Sequence, residues 1–109
     1  MKIAVCSQNR KTVTGHAGKC RRFRLFEHDG QALREQDLLE LPIEGTFHAT
    51  PFEAPHPLDD VQALIALDMG DGLKRKLAAR GIIAHLTELT DPHAAIQSFL
   101  TQHGATPHV

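Results

Sequence analysis

The chain has 109 residues, 41% of them apolar, with five Phe and neither Trp nor Tyr. That suits one domain with an aliphatic core large enough to fold without disulfides or a structural metal. A net charge of -1 excludes the broad basic excess of a general nucleic-acid binder, and no apolar run reaches the roughly 20 residues of a membrane span. Two cysteines do not make a disulfide framework, and the first residues resemble a strand rather than a signal peptide. A cytoplasmic location with free thiols is the expectation.

Residues 2–7, KIAVCS, form a short apolar run and read as a central strand. Residues 8–20 are polar and contain Gly15 and Gly18, so they read as a loop. A second strand is expected over 22–28, with Phe23, Leu25 and Phe26. Asp29-Gly30 then signals a short hairpin, because both central residues of such a turn must accept positive φ. The third strand is expected over 33–41, with Pro42 ending it. Residues 43–60 have no clear period and hold Pro51, Pro55 and Pro57. They read as a loop with one helical turn near Thr46 to Ala49, and a loop of this length in a small domain is often functional.

The second half changes character. A strand is expected over 61–67, and Met69-Gly70-Asp71-Gly72 reads as a turn. A helix follows over 72–80, with Leu73 and Leu77 inward and Gly81 just past its end. The next strand covers 82–87. Asp91 caps a final helix with Pro92 in its first position, a buried stripe of Ala95, Ile96, Phe99 and Leu100, and Gly104 at its end. These elements predict a single α/β domain over 1–109. Its mixed sheet has about five strands, antiparallel on one side and parallel on the other, with flanking helices and a right-handed crossover.

Chemistry concentrates in TGHAGKCRRF, residues 14–23, which places His16 and Cys20 in one glycine-containing loop. Thiolate and imidazole suit zinc, copper and iron–sulfur centres better than magnesium or calcium. Lys19, Arg21 and Arg22 would lower a thiol pKa and attract an anion. Cys6 ends the first strand; it either joins His16 or packs as a small core residue. A closed zinc site needs four ligands, usually paired as Cys-x-x-Cys, and that pairing is absent. Two readings therefore stand: an open, partial metal site, or a basic loop with Cys20 packed inward.

His48 and His56 are secondary candidates, since their loop could fold over the sheet end. His28, His93, His103 and His108 read as structural or solvated, and His85 as facing solvent. The turn at Gly70 and Gly72 opens a helix, whose free amides attract anions. It lacks the full Gly-x-Gly-x-x-Gly pattern and a Walker lysine, so a tight turn is favoured over a nucleotide site. A cysteine hydrolase lacks both a nucleophile elbow and an orienting third group.

The run His16-Ala17-Gly18-Lys19-Cys20-Arg21-Arg22-Phe23, after a Lys-Ile-Ala-Val strand, resembles the dinitrogenase iron–molybdenum cofactor biosynthesis family. That family includes NifX-like and NafY-like carriers and the small orange protein that holds a molybdenum–copper sulfide cluster. Its pattern is roughly His-Phe-Gly-x-Cys/Ala-x-x-Phe, from which Ala17 departs. The second half is similar too: Met69-Gly70-Asp71-Gly72, a helix closing in Arg80-Gly81-Ile82, and Thr87 four residues before Asp91-Pro92.

The resemblance implies a ribonuclease-H-like fold without nuclease chemistry, and a non-enzymatic carrier or assembly factor for an iron- or molybdenum-containing sulfide cluster. Its partners would be cluster donor and acceptor proteins of metallocofactor assembly, with the chain a monomer or weak dimer. The family's cluster-ligand histidine falls on His16, and Cys20 matches a position that is Cys in some members. The expected metal ligands are then His16, Cys20, Cys6 and His48, with Lys19, Arg21, Arg22, Gly70 and Gly72 binding the rest of the cluster. The alternative is a regulatory or partner-binding module that keeps the fold without metal. Ala17 and the basic patches, including Lys74, Arg75, Lys76 and Arg80, would speak for it.

Overall fold

Alternation in the first strand decides the architecture. In the computed structural model, which describes residues 1–103, β1 (Lys2–Cys6) sends Ile3 and Val5 to one face and Ala4 and Cys6 to the other, all fully buried. A strand buried on both faces must lie inside the sheet. β1 pairs antiparallel with β2 (Arg22–His28), whose bounds match the expected ones. Antiparallel to β2 run β3 (Leu33–Glu35) and β4 (Leu39–Glu40). On its other side β1 pairs parallel with β5 (Ala63–Ala66), which pairs parallel with β6 (Ile83–Leu86). The result is a mixed six-stranded sheet of order β3-β2-β1-β5-β6, with β4 also on β2.

Two turns differ from expectation. The third strand is broken, because Phe26 pairs with Glu35 while Phe23 pairs with Leu39. Arg24 and Leu25 therefore face the three residues Gln36, Asp37 and Leu38, a two-against-three bulge that interrupts the ladder. The hairpin from β2 to β3 uses four residues, 29–32, rather than two. Gly30 has φ of 101°, but Asp29 instead bends the chain through its carboxylate, which accepts from the Gln31 and Ala32 amides at 2.9 Å each. In the long loop, the helical turn lies at Ile43–Gly45, ahead of its expected place, and a hydrogen-bonded turn follows over 47–49.

α1 (Asp71–Ala79) buries Leu73 and Leu77, and Gly81 behind it has φ of 72°, which only glycine adopts cheaply. α2 (Pro92–Gln102) begins as expected: the Asp91 carboxylate accepts from the Ala94 amide at 2.8 Å. Gly104 and His108 lie outside the described residues. α2 covers the face of Ile3, Val5, Phe26 and Ile65 with Ala95, Ile96, Phe99 and Leu100. The opposite face is covered jointly by α1 and the long loop, through Leu73, Leu77, Phe47 and Leu58. Among the described residues no helix is long and apolar enough to cross a membrane.

His85 does not face solvent. It is 6% exposed, its ring edge-on to Phe99 at 5.3 Å, because α2 covers that face of β6. Burial lowers the pKa of His85, helped by the neighbouring His103, and burial also lowers that of His56. Both groups resist protonation when folded but accept it readily when unfolded. Stability is therefore full above the unfolded value of 6.5 and falls as the pH drops below it. The urea midpoint should decline between about pH 7 and pH 5. His85→Leu should flatten part of that decline; an unchanged slope would refute the assignment.

Candidate functional site

The loop over residues 14–20 hangs from the carboxyl ends of β1 and β5. The Thr14 amide donates to Cys6 O at 2.8 Å, and the Leu67 amide donates to Thr14 O at 3.0 Å. Asp68, just past β5, then grips the next residues. Its Oδ1 accepts from the His16 amide at 2.6 Å, and its carbonyl accepts from the Ala17 amide at 3.5 Å. Gly15 leaves room for this grip: a Cβ there would sit 2.7 Å from the Asp68 carboxylate and displace it. His16 is forced to φ of 55°, a region that non-glycine residues occupy rarely and mostly at functional positions. Its side chain is left 89% exposed at the lip of a cleft.

The long loop forms the other lip. Phe47 is buried against the sheet, stacked on His56 with ring centroids 3.8 Å apart. His56 spends both ring nitrogens on backbone: Nδ1 accepts from the Leu58 amide at 3.0 Å, so Nε2–H donates to Gly45 O at 2.9 Å. It is thereby a structural residue. His48 is exposed, and its amide donates to Gly18 O at 2.7 Å, which joins the two lips. The floor is the start of α1. Gly70 is its N-cap without a side-chain cap, and open space lies where Gly70 and Gly72 would carry a Cβ. The first amides of α1 thus remain available.

This cleft has a volume of about 330 Å³. It brings together His16, His48, Lys19, Gly70 and Gly72 of the expected site. Cys20 is 3% exposed and lines an adjoining, smaller cleft of about 220 Å³ with Gln8, Thr14 and Gly15, and with His16 and Lys19, which border both clefts. Cys6 is fully buried, and both cysteines are free. Cys6 Sγ lies 3.5 Å from Thr14 Oγ1 and from Gly15 O, and the Cys20 thiol donates to Arg22 O at 3.0 Å. The neighbouring Cys20 and burial push the Cys6 thiol up, while the neighbouring Cys6 holds Cys20 below the usual thiol value. Arg21 and Arg22 line neither cleft. Arg21 Nε donates to Leu41 O at 2.9 Å, and Arg22 pairs with Glu40 at 3.1 Å.

The family model of the dinitrogenase iron–molybdenum cofactor matches residues 1–102. The chain belongs to this family. No curated protein matches it. Two solved structures share the fold. PH0822, a crystal structure, is similar with a TM-score of 0.73 and 17% identity over 94% of this chain and 90% of that one. A Thermotoga protein solved by NMR, TM1290, described as a candidate NifB protein of the DUF35 family, gives 0.63 and 18% over 92% and 87%.

For a member of the iron–molybdenum cofactor family, the lining of the cleft is informative. Ala17 is fully buried in the core, so it does not border the cleft. The apolar wall comes instead from Phe47 and Leu73, and a further ammonium comes from Lys76. None of these was assigned to the site from the sequence, where Leu73 is expected inward and Lys76 in a basic patch, and neither was the anchor Asp68. Asp68 had one local signal, an acidic residue directly before a glycine turn. Among the described residues no carboxylate lines the cleft, whereas two imidazoles and two ammoniums do, although Asp68 Oδ1 lies 3.9 Å from His16 Nδ1. Among the described residues no three His, Cys, Asp or Glu side chains converge to enclose a metal ion. The arrangement suits a bulky anion that accepts imidazole ligands and is not caged.

Proposed function

We propose that the cleft carries an anionic iron- or molybdenum-containing sulfide cluster as cargo during assembly of a nitrogenase-type cofactor, without catalysing a reaction. One observation carries this reading: His16 and His48 stand on opposite lips of a cleft whose described walls are cationic and apolar. Imidazole is a good ligand for iron and copper. Lys19, Lys76 and the first amides of α1 would balance sulfide charge. Two protein ligands hold a cluster while leaving it transferable, so a donor and an acceptor protein complete the scheme. Membership in the cofactor family supports the same cargo. Cytoplasmic location and a single domain over 1–109 belong to this reading. So does a ribonuclease-H-like arrangement, which the sheet order, antiparallel then parallel about β1, favours.

Oxygen-free titration with tetrathiomolybdate, or with a synthetic iron–sulfide cluster, tests the reading. A saturable visible absorption band is expected for the parent protein. Because even groups outside the ligand shell cost about 10–100-fold in metal affinity, His16→Ala and His48→Ala should each weaken binding by at least about tenfold. A doubly substituted protein that binds like the parent would remove both histidines from the site.

A further inference from the structure

The basic run on α1 divides: Lys74 and Arg75 are exposed, whereas Lys76 and Arg80 are half-buried against the long loop. Lys76 and Arg80 lie one helical turn apart on the same face. Lys76 Nζ donates to Phe47 O and to Thr50 O, both at 2.7 Å. Arg80 donates to Ala54 O at 2.9 Å and Phe52 O at 3.3 Å, and pairs with Asp59 at 2.6 Å. Together they grip the long loop at four carbonyls. Lys76 differs from Arg80 in also lining the cleft.

The two carbonyls that Lys76 holds bracket His48. Among the described residues the one hydrogen bond from the turn between them to the first lip is that of the His48 amide to Gly18 O. An ammonium has three N–H groups, and two are spent on these carbonyls. Among the described residues no carboxylate lies within ion-pairing distance of Lys76. Its charge is thus free to meet an anion in the cleft while its other two donors hold the turn.

We propose that Lys76 is a positioning residue: it fixes the turn that carries His48 at the cleft and couples that placement to the charge of the bound anion. This rests on the cleft being the cargo site. By linkage, an anion that tightens the clamp is itself bound more tightly by the same factor. The ligand class sharpens accordingly. The cleft selects anions that offer both a charge to Lys76 and an imidazole-accepting metal to His48.

Two measurements test this. The first is a double-mutant cycle of Lys76→Met with His48→Ala, read by oxygen-free optical titration with a synthetic anionic iron–sulfide cluster whose terminal ligands exchange. Lys76→Met should weaken binding by well over tenfold in the parent, but by much less once His48 is gone; Lys76→Arg should recover part of the loss. Equal losses in both backgrounds would make Lys76 merely a charge and overturn the proposal. The second is amide hydrogen exchange of His48 without any ligand. It should quicken by about tenfold in Lys76→Met, the equivalent of one net hydrogen bond. If the parent fails to bind the iron–sulfide cluster, the cargo reading falls, and exchange alone decides the clamp; an unchanged rate overturns it. Should Lys76→Met not fold, Lys76→Gln serves in both measurements, because its shorter side chain cannot reach both carbonyls.

Discussion

Phe47→Ala is expected to lower the unfolding free energy by about 3–5 kcal/mol, a large share of the 5–15 kcal/mol typical of such a domain. Phe47 comes from a loop yet is 1% exposed. It packs into the sheet face shared with Phe23, Leu58, Leu64 and Leu77, stacks on His56 at 3.8 Å and lies under the Arg80 guanidinium at 5.7 Å. Truncation removes a ring at the junction of sheet, helix and loop, where no neighbour can collapse without dragging the loop. Phe47→Leu should cost roughly half as much, since it leaves a smaller cavity. Urea unfolding followed by far-ultraviolet circular dichroism gives both values. A loss below about 1 kcal/mol for Phe47→Ala would mean that the loop merely lies on the core.

The second large effect is expected at Arg80. Arg80→Met should cost about 2–3 kcal/mol, because hydrogen bonds from a charged group are worth roughly 1.5–3 kcal/mol. The Arg80 side chain is 10% exposed, and it meets two loop carbonyls, the Asp59 carboxylate and the Phe47 ring. The Asp59 pair adds little by itself, since that carboxylate is 40% exposed. One feature works against Arg80: its Nε is buried without a partner. Arg80→Lys removes that orphan donor, so it should cost less than Arg80→Met despite losing the planar fork. Melting temperature and protease cleavage within residues 47–59 should report the change together. Cleavage no faster than in the parent would show that the loop does not depend on Arg80.

The elements that the sequence announced are those whose signals are local. KIAVC has enough apolar density for a strand buried on both sides, and Asp91-Pro92 caps its helix from its own chemistry. The broken third strand was hidden because nothing in the run LREQDLLE distinguishes a bulge from a continuous ladder. The cleft divides in the same way. His16, Lys19, Gly70 and Gly72 were legible, as unusual residues in short loops at strand ends. Arg21 and Arg22 were counted by charge, but charge carries no direction, and Leu41 O and Glu40 claim them. Phe47 and Lys76 were missed because their roles exist only through each other. The Lys76 ammonium meets the Phe47 carbonyl across 29 positions of sequence, and no window along the chain contains both.

The alternation along β1 has a consequence for how such a chain tolerates change. Neighbouring residues of one strand serve two layers, and the side chains buried under α2 share none of their number with those under the cleft-bearing loop. The α2 layer is ballast, on the sheet face away from the cleft. Substitutions there shift how much protein is folded without reshaping the lips around His16 and His48. The opposite layer, made of a long loop gripped by two cations, is free to be rewritten around the cleft while the ballast keeps the sheet assembled.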